Sequence, residues 1–96
     1  MSMSLNLFSR PAARCLNPYA QVLADAVRCR RLELGLSIHR AAELSGITVW
    51  QWAAMEYAVW IPADGPVMHG IAGTLQADYD ALSFWAEVSR VHQAEK

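Results

Sequence analysis

Basic side chains are missing from a long stretch of this chain: no Lys or Arg occurs between Ala41 and Ser89. Phosphate neutralisation supplies much of the affinity of a small nucleic-acid binder, so any basic face must come from the N-terminal half. Cysteine is scarce as well. Cys15 and Cys29 are too few for a disulfide framework and belong to no CxxC or Cys/His cluster of zinc spacing, so both are read as reduced thiols in a cytoplasm. His39, His69 and His92 lie far apart without a neighbouring ligand pair, so solvent-facing or packed histidines are expected, with no metal and no other cofactor. The longest apolar run, Ala58 to Ala63, has six residues, far short of the roughly 20 that span a bilayer, so no membrane association is expected. There is no Ser/His/Asp or Cys/His set, no glycine-rich phosphate loop and no plausibly spaced carboxylate pair. An enzyme is therefore not expected, and no catalytic residue is assigned.

What is present fits one small helical domain. The chain has 96 residues, of which 54% are apolar, enough for a core but only marginally so at this length, and a dimer would help it. The net charge is −1, yet its two signs are separated along the chain. Arg10, Arg14, Arg28, Arg30, Arg31 and Arg40 outweigh Asp25 and Glu33 in the first forty residues. From Ala41 onward Arg90 and Lys96 face seven acids. Residues 1–16 hold Leu5, Leu7 and Phe8 as apolar anchors, with Pro11 opposing a helix, and read as an irregular N-terminal arm preceding a domain over 17–96. No secretory signal is recognised, and the acid-free start reads as a disordered or partner-docking arm rather than a transit peptide.

Five helices are expected. Asn17 followed by Pro18 starts the first, which runs to about Leu34 with Val22, Leu23, Ala26, Val27 and Leu34 on its buried stripe; Gly35 ends it. Ser37 caps a second over about Ile38 to Ser45, and Gly46 makes the turn. Thr48 caps the third, where Gln51 completes a T-x-x-Q capping box. Trp52, Met55 and Glu56 should then point toward the first helix, and Trp50, Ala53, Ala54 and Tyr57 away from it. Asp64 or Gly65 should cap a fourth helix over about Pro66 to Leu75, and Asp78 a fifth from Tyr79 to about Ala94, with Leu82, Trp85, Val88 and Val91 as its apolar stripe.

These positions together resemble the Cro/C1-type (XRE) helix-turn-helix family. The residues that carry the resemblance are V27-R28-x-x-R31-x-x-x-G35-L36-S37, then A42-E43-L44-S45-G46-I47-T48, then Glu56 and Pro62, and finally I71-A72-x-x-L75 with Leu82. They cover roughly Leu23 to Leu82. The resemblance implies an all-α, compact five-helix, lambda-repressor-like domain and a structural ion pair between Arg31 and Glu56. It also implies a transcription regulator whose set facing double-stranded DNA is His39, Arg40, Thr48, Val49, Trp50, Gln51 and Ala54. Three departures stand against this. The helix-two start that often carries Gln in the family is Ile38; the reading positions Val49, Trp50, Ala53 and Ala54 are apolar; and Ala58 replaces a glycine after helix three, so a different exit from that helix is expected. Gln51 is the one residue there able to make a directional base contact, unless its capping box holds the amide.

Two functions follow. In one, His39, Arg40 and Gln51, helped by Arg28, Arg30 and the arm, contact DNA while Trp50 packs on thymine methyls or sugars. In the other, the fold is a protein-interaction or homodimerisation module that docks through Trp50, Tyr57, Val59, Trp60 and Ile61. Trp60 is read alternatively as a lid over the core.

Overall fold

The computed structural model describes residues 17–94 and places five helices and no strand within them. Helix α1 (Pro18–Glu33) begins where Asn17 Oδ1 accepts the Ala20 N–H at 3.1 Å, with Pro18 in the first turn, and ends at Leu34 before Gly35 turns the chain. Arg30 and Arg31 lie in its last turn, where cations favour the helix dipole. Helix α2 (Ile38–Ser45) is capped by Ser37, whose hydroxyl accepts the Arg40 N–H at 3.0 Å. Gly46 then takes a left-handed conformation (φ 76°), the geometry that lets the chain reverse within three residues before α3 (Val49–Glu56). Helices α4 (Gly65–Leu75) and α5 (Tyr79–Ala94) complete the domain.

Asp64 precedes α4 but makes no side-chain capping bond. Asp78 does cap α5, accepting the Asp80 N–H at 3.3 Å. Gln76, not a glycine, holds the left-handed position after α4 (φ 51°).

The core is one cluster to which all five helices contribute. Trp52 and Met55 of α3 are fully enclosed among Val27 of α1, Ala41 and Ala42 of α2, Ile71 and Leu75 of α4, and Leu82 of α5. Trp85 and Trp60 pack on its edge. Removing each large side chain from water contributes on the order of 1.5–3 kcal/mol.

Two buried faces differ from the expected ones. On α1 the inward residues are Ala20, Leu23, Ala24, Val27 and Arg31, while Val22 and Ala26 face outward. On α5 they are Leu82, Ala86 and Ser89, while Val91 is exposed. The reason is close packing between the two helices. The two helices pack against each other, each burying small residues, Ala20 and Ala24 on α1 and Ala86 and Ser89 on α5, and Asn17 joins them by donating from Nδ2 to the Ser89 carbonyl at 2.9 Å. A face chosen by size of side chain therefore prevails over one chosen by hydrophobicity.

Helices α2 and α4 also approach closely. Ser45 Oγ donates to Thr74 Oγ1 at 2.8 Å, and a Cβ built on Gly70 would stand 2.7 Å from the Ser45 carbonyl oxygen. That obstacle is backbone, so relief requires the helices to separate. Gly70→Ala is expected to lower stability by about 1–3 kcal/mol, in spite of alanine's better helix propensity, and urea unfolding followed by circular dichroism measures the loss.

Candidate functional site

The α2–turn–α3 unit is where the sequence concentrates its unusual features, and a buried ion pair fixes its orientation. Glu56, at the end of α3, receives the Arg31 guanidinium in bidentate fashion: Nη2 donates to Oε1 at 3.0 Å and Nε to Oε2. Oε2 also accepts the Trp52 indole N–H at 2.6 Å. Arg31 Nη1 donates to the Leu36 carbonyl at 2.9 Å, so one side chain ties α1, the α1–α2 connection and α3 together. The hydrogen bonds that Arg31 donates to Glu56 raise the Arg31 pKa above its ordinary value; burial opposes this and is outweighed. A raised arginine pKa contributes stability that is present below the unfolded-state value and is lost as pH rises through the folded-state value, in strongly alkaline solution.

Cutting one partner strands the other inside. Glu56→Gln is expected to cost about 3–5 kcal/mol, because the Arg31 guanidinium keeps its charge in a site without a counter-ion; chemical denaturation measures it.

On the opposite side of α3, Trp50 is 83% exposed and Tyr57 78% exposed. Val59, just past the helix, is 75% exposed. Ala53 and Ala54 are half-buried, and Val49 packs against the core edge. Trp60 and Ile61 turn inward onto the core, so the proposed five-residue patch is reduced to Trp50, Tyr57 and Val59. Helix α2 adds Leu44, half-exposed, which sequence reading overlooked although Ala41 and Ala42 as the buried pair rotate Leu44 to the outside.

The polar members are committed locally. Thr48 Oγ1 accepts the Gln51 N–H at 3.0 Å, and Gln51 Oε1 accepts the Thr48 N–H at 2.9 Å, completing the capping box. The Gln51 amide is thus turned onto its own helix start, which opposes the two-bond contact with adenine that a free glutamine makes. Arg40 is exposed and pairs with Glu43 at 2.9 Å, and His39 is exposed beside it. Arg28 pairs with Asp25, and Arg30 pairs with Glu33 while donating to the Leu75 carbonyl. Exposed i,i+3 pairs of this kind are worth little, so a phosphate can displace Glu43 from Arg40 at small cost. Arg10 and Arg14, also considered as DNA contacts, lie outside the described residues.

The exit from α3 corrects an expectation. Ala58 adopts φ 63°, the left-handed conformation a glycine would take, and Val59 N–H closes the cap on the Ala54 carbonyl at 2.9 Å. The left-handed cap therefore forms at an alanine, which carries the strain. Ala58→Gly is expected to raise stability by up to about 1 kcal/mol, partly offset by glycine's unfolded-state entropy, and thermal unfolding detects it.

No protein-family model matches the sequence, and no curated protein matches it. Among solved structures, the chain is similar to the clp gene regulator ClgR from Corynebacterium glutamicum, with a TM-score of 0.60 and 19% sequence identity over 80% of this chain and 81% of that one. The likeness establishes a shared helical fold.

Proposed function

We propose that this chain is a helix-turn-helix transcription regulator of the Cro/C1 (XRE) type that docks double-stranded DNA with the α2–α3 unit. The observation that carries the proposal is the outward presentation of α3. The Arg31–Glu56 pair and the Gly46 turn hold the helix so that Trp50, at its second position, projects into solvent. Helix-turn-helix domains use the early residues of this helix in the major groove. In this reading Arg40 and His39 contact phosphate, Trp50 packs on thymine methyls and sugars, and Thr48, Val49 and Ala54 line the contact. Gln51 orders the start of the helix rather than reading a base. With so few cations, binding is weak and its salt dependence shallow.

A second reading is favoured by the apolar character of Trp50, Tyr57 and Val59: the same face captures a protein or a second copy. Exposed aromatics on and just past a helix that carries no Lys or Arg have the composition of an interface centre.

A salt-titrated fluorescence-anisotropy assay with random duplexes and the chain's own upstream region separates the two. For DNA binding, Arg40→Ala weakens all sequences alike and reduces the slope of log affinity against log salt by about 0.9, the equivalent of one phosphate. Gln51→Ala shifts the unfolding midpoint and leaves base preference unchanged. Absence of duplex binding at low salt, together with a change in sedimentation on Trp50→Ala, would establish the interaction module instead.

A further inference from the structure

The start of α1 and the second half of α5 enclose a groove of about 500 Å³, walled by Tyr19, Phe84, Val88 and Val91, with Glu87 and His92 as its polar members. Phe84 is 58% exposed and Val91 53% exposed, so the apolar face that α5 withholds from the core lies open. Tyr19 bridges the two helices, stacking at 6.5 Å on Trp85 and meeting the His92 ring edge-on at 5.3 Å. The chain enters the domain at this same place, because Asn17 is pinned to the Ser89 carbonyl and Tyr19 follows two residues later.

We propose that residues 1–16 of this chain occupy the groove, seating Leu5, Leu7 and Phe8 against Phe84, Val88 and Val91. Reach permits it: Phe8 is nine residues from Asn17, a span of up to roughly 30 Å. The helix from Phe84 to Val91 is only about 10 Å long. Composition fits as well. The segment is apolar near its start and carries Arg10 and Arg14 without an acid, while Glu87 makes no ion pair among the described residues. Tethering favours this occupant over any other. A segment joined at the mouth of the groove acts at an effective concentration in the millimolar range, whereas a second chain must also overcome the entropy of association. A seated arm holds Arg10 and Arg14 beside α5, where they are not available to phosphate.

The test uses the full chain at a concentration where sedimentation shows a monomer. Nuclear Overhauser effects should connect the Phe8 ring and the Leu5 and Leu7 methyls with Val88 and Val91. Trypsin reads the same contact at Arg14, since Arg10 precedes a proline and is not cut. Phe8→Asp and Val91→Asp should each speed cleavage at Arg14 about tenfold, and the double variant should be cut no faster than either alone. Phe8 lies outside the described residues and Val91 is half-exposed, so neither change removes a side chain of the described core. Equal cleavage rates in wild type and variants, or the absence of these connectivities, would overturn the proposal. So would finding, in a sample of mixed isotope labels, that the contacts to Val88 and Val91 come from a second copy.

Discussion

The carboxylate of Glu56 is the point on which the arrangement of this domain turns. It is buried, it accepts three hydrogen bonds from Arg31 and Trp52, and the guanidinium that neutralises it also holds the connection between α1 and α2. A charge taken out of water tolerates little displacement of its partners, since each lost hydrogen bond exposes an uncompensated desolvation cost. Apolar packing of Trp52 and Met55 alone fixes α3 in depth; the ion pair fixes its rotation. That rotation decides which side chains meet solvent, so the position of Trp50 and Tyr57 follows from a contact on the far side of the helix.

The outer face that results is defined by commitments made elsewhere. Thr48 and Gln51 satisfy each other, Arg40 rests against Glu43, and the arginines of α1 have acids or a carbonyl for partners. The proposed DNA contact thus relies on shape and apolar area more than on charge. The shared fold with a gene regulator agrees with the architecture and leaves the chemistry of the face to this chain's own residues.

Helix positions were largely legible in the sequence because their signals are local. Asn17 before Pro18, Ser37, Thr48 with Gln51, and Gly46 each act within one turn, and each forms the cap or turn its chemistry predicts. The ion partner of Glu56 was legible through the family resemblance and through the burial its place on α3 demanded. The buried face of α5 was not legible, since Ala86 and Ser89 compete with Val88 and Val91 only once the surface of α1 is known. Hydrophobic periodicity registers attraction and is blind to how near two backbones can come. The same limit hid the inward turn of Ile61, which depends on the path of the chain after Ala58, whereas Trp60 takes the place over the core that one of its two readings assigned. There Ala58 takes the left-handed conformation that favours glycine, because a hydrogen-bonded cap tolerates one strained alanine.

That alanine has a bearing on whatever α3 meets. With φ at 63° and the Val59 N–H fixed to Ala54, the chain from Tyr57 to Val59 is set before any partner arrives. Its two exposed side chains stand on a backbone whose freedom has already been surrendered in folding. Association at this corner is therefore preorganised: the entropic penalty that a loose loop would incur on binding has been moved into the stability of the isolated domain.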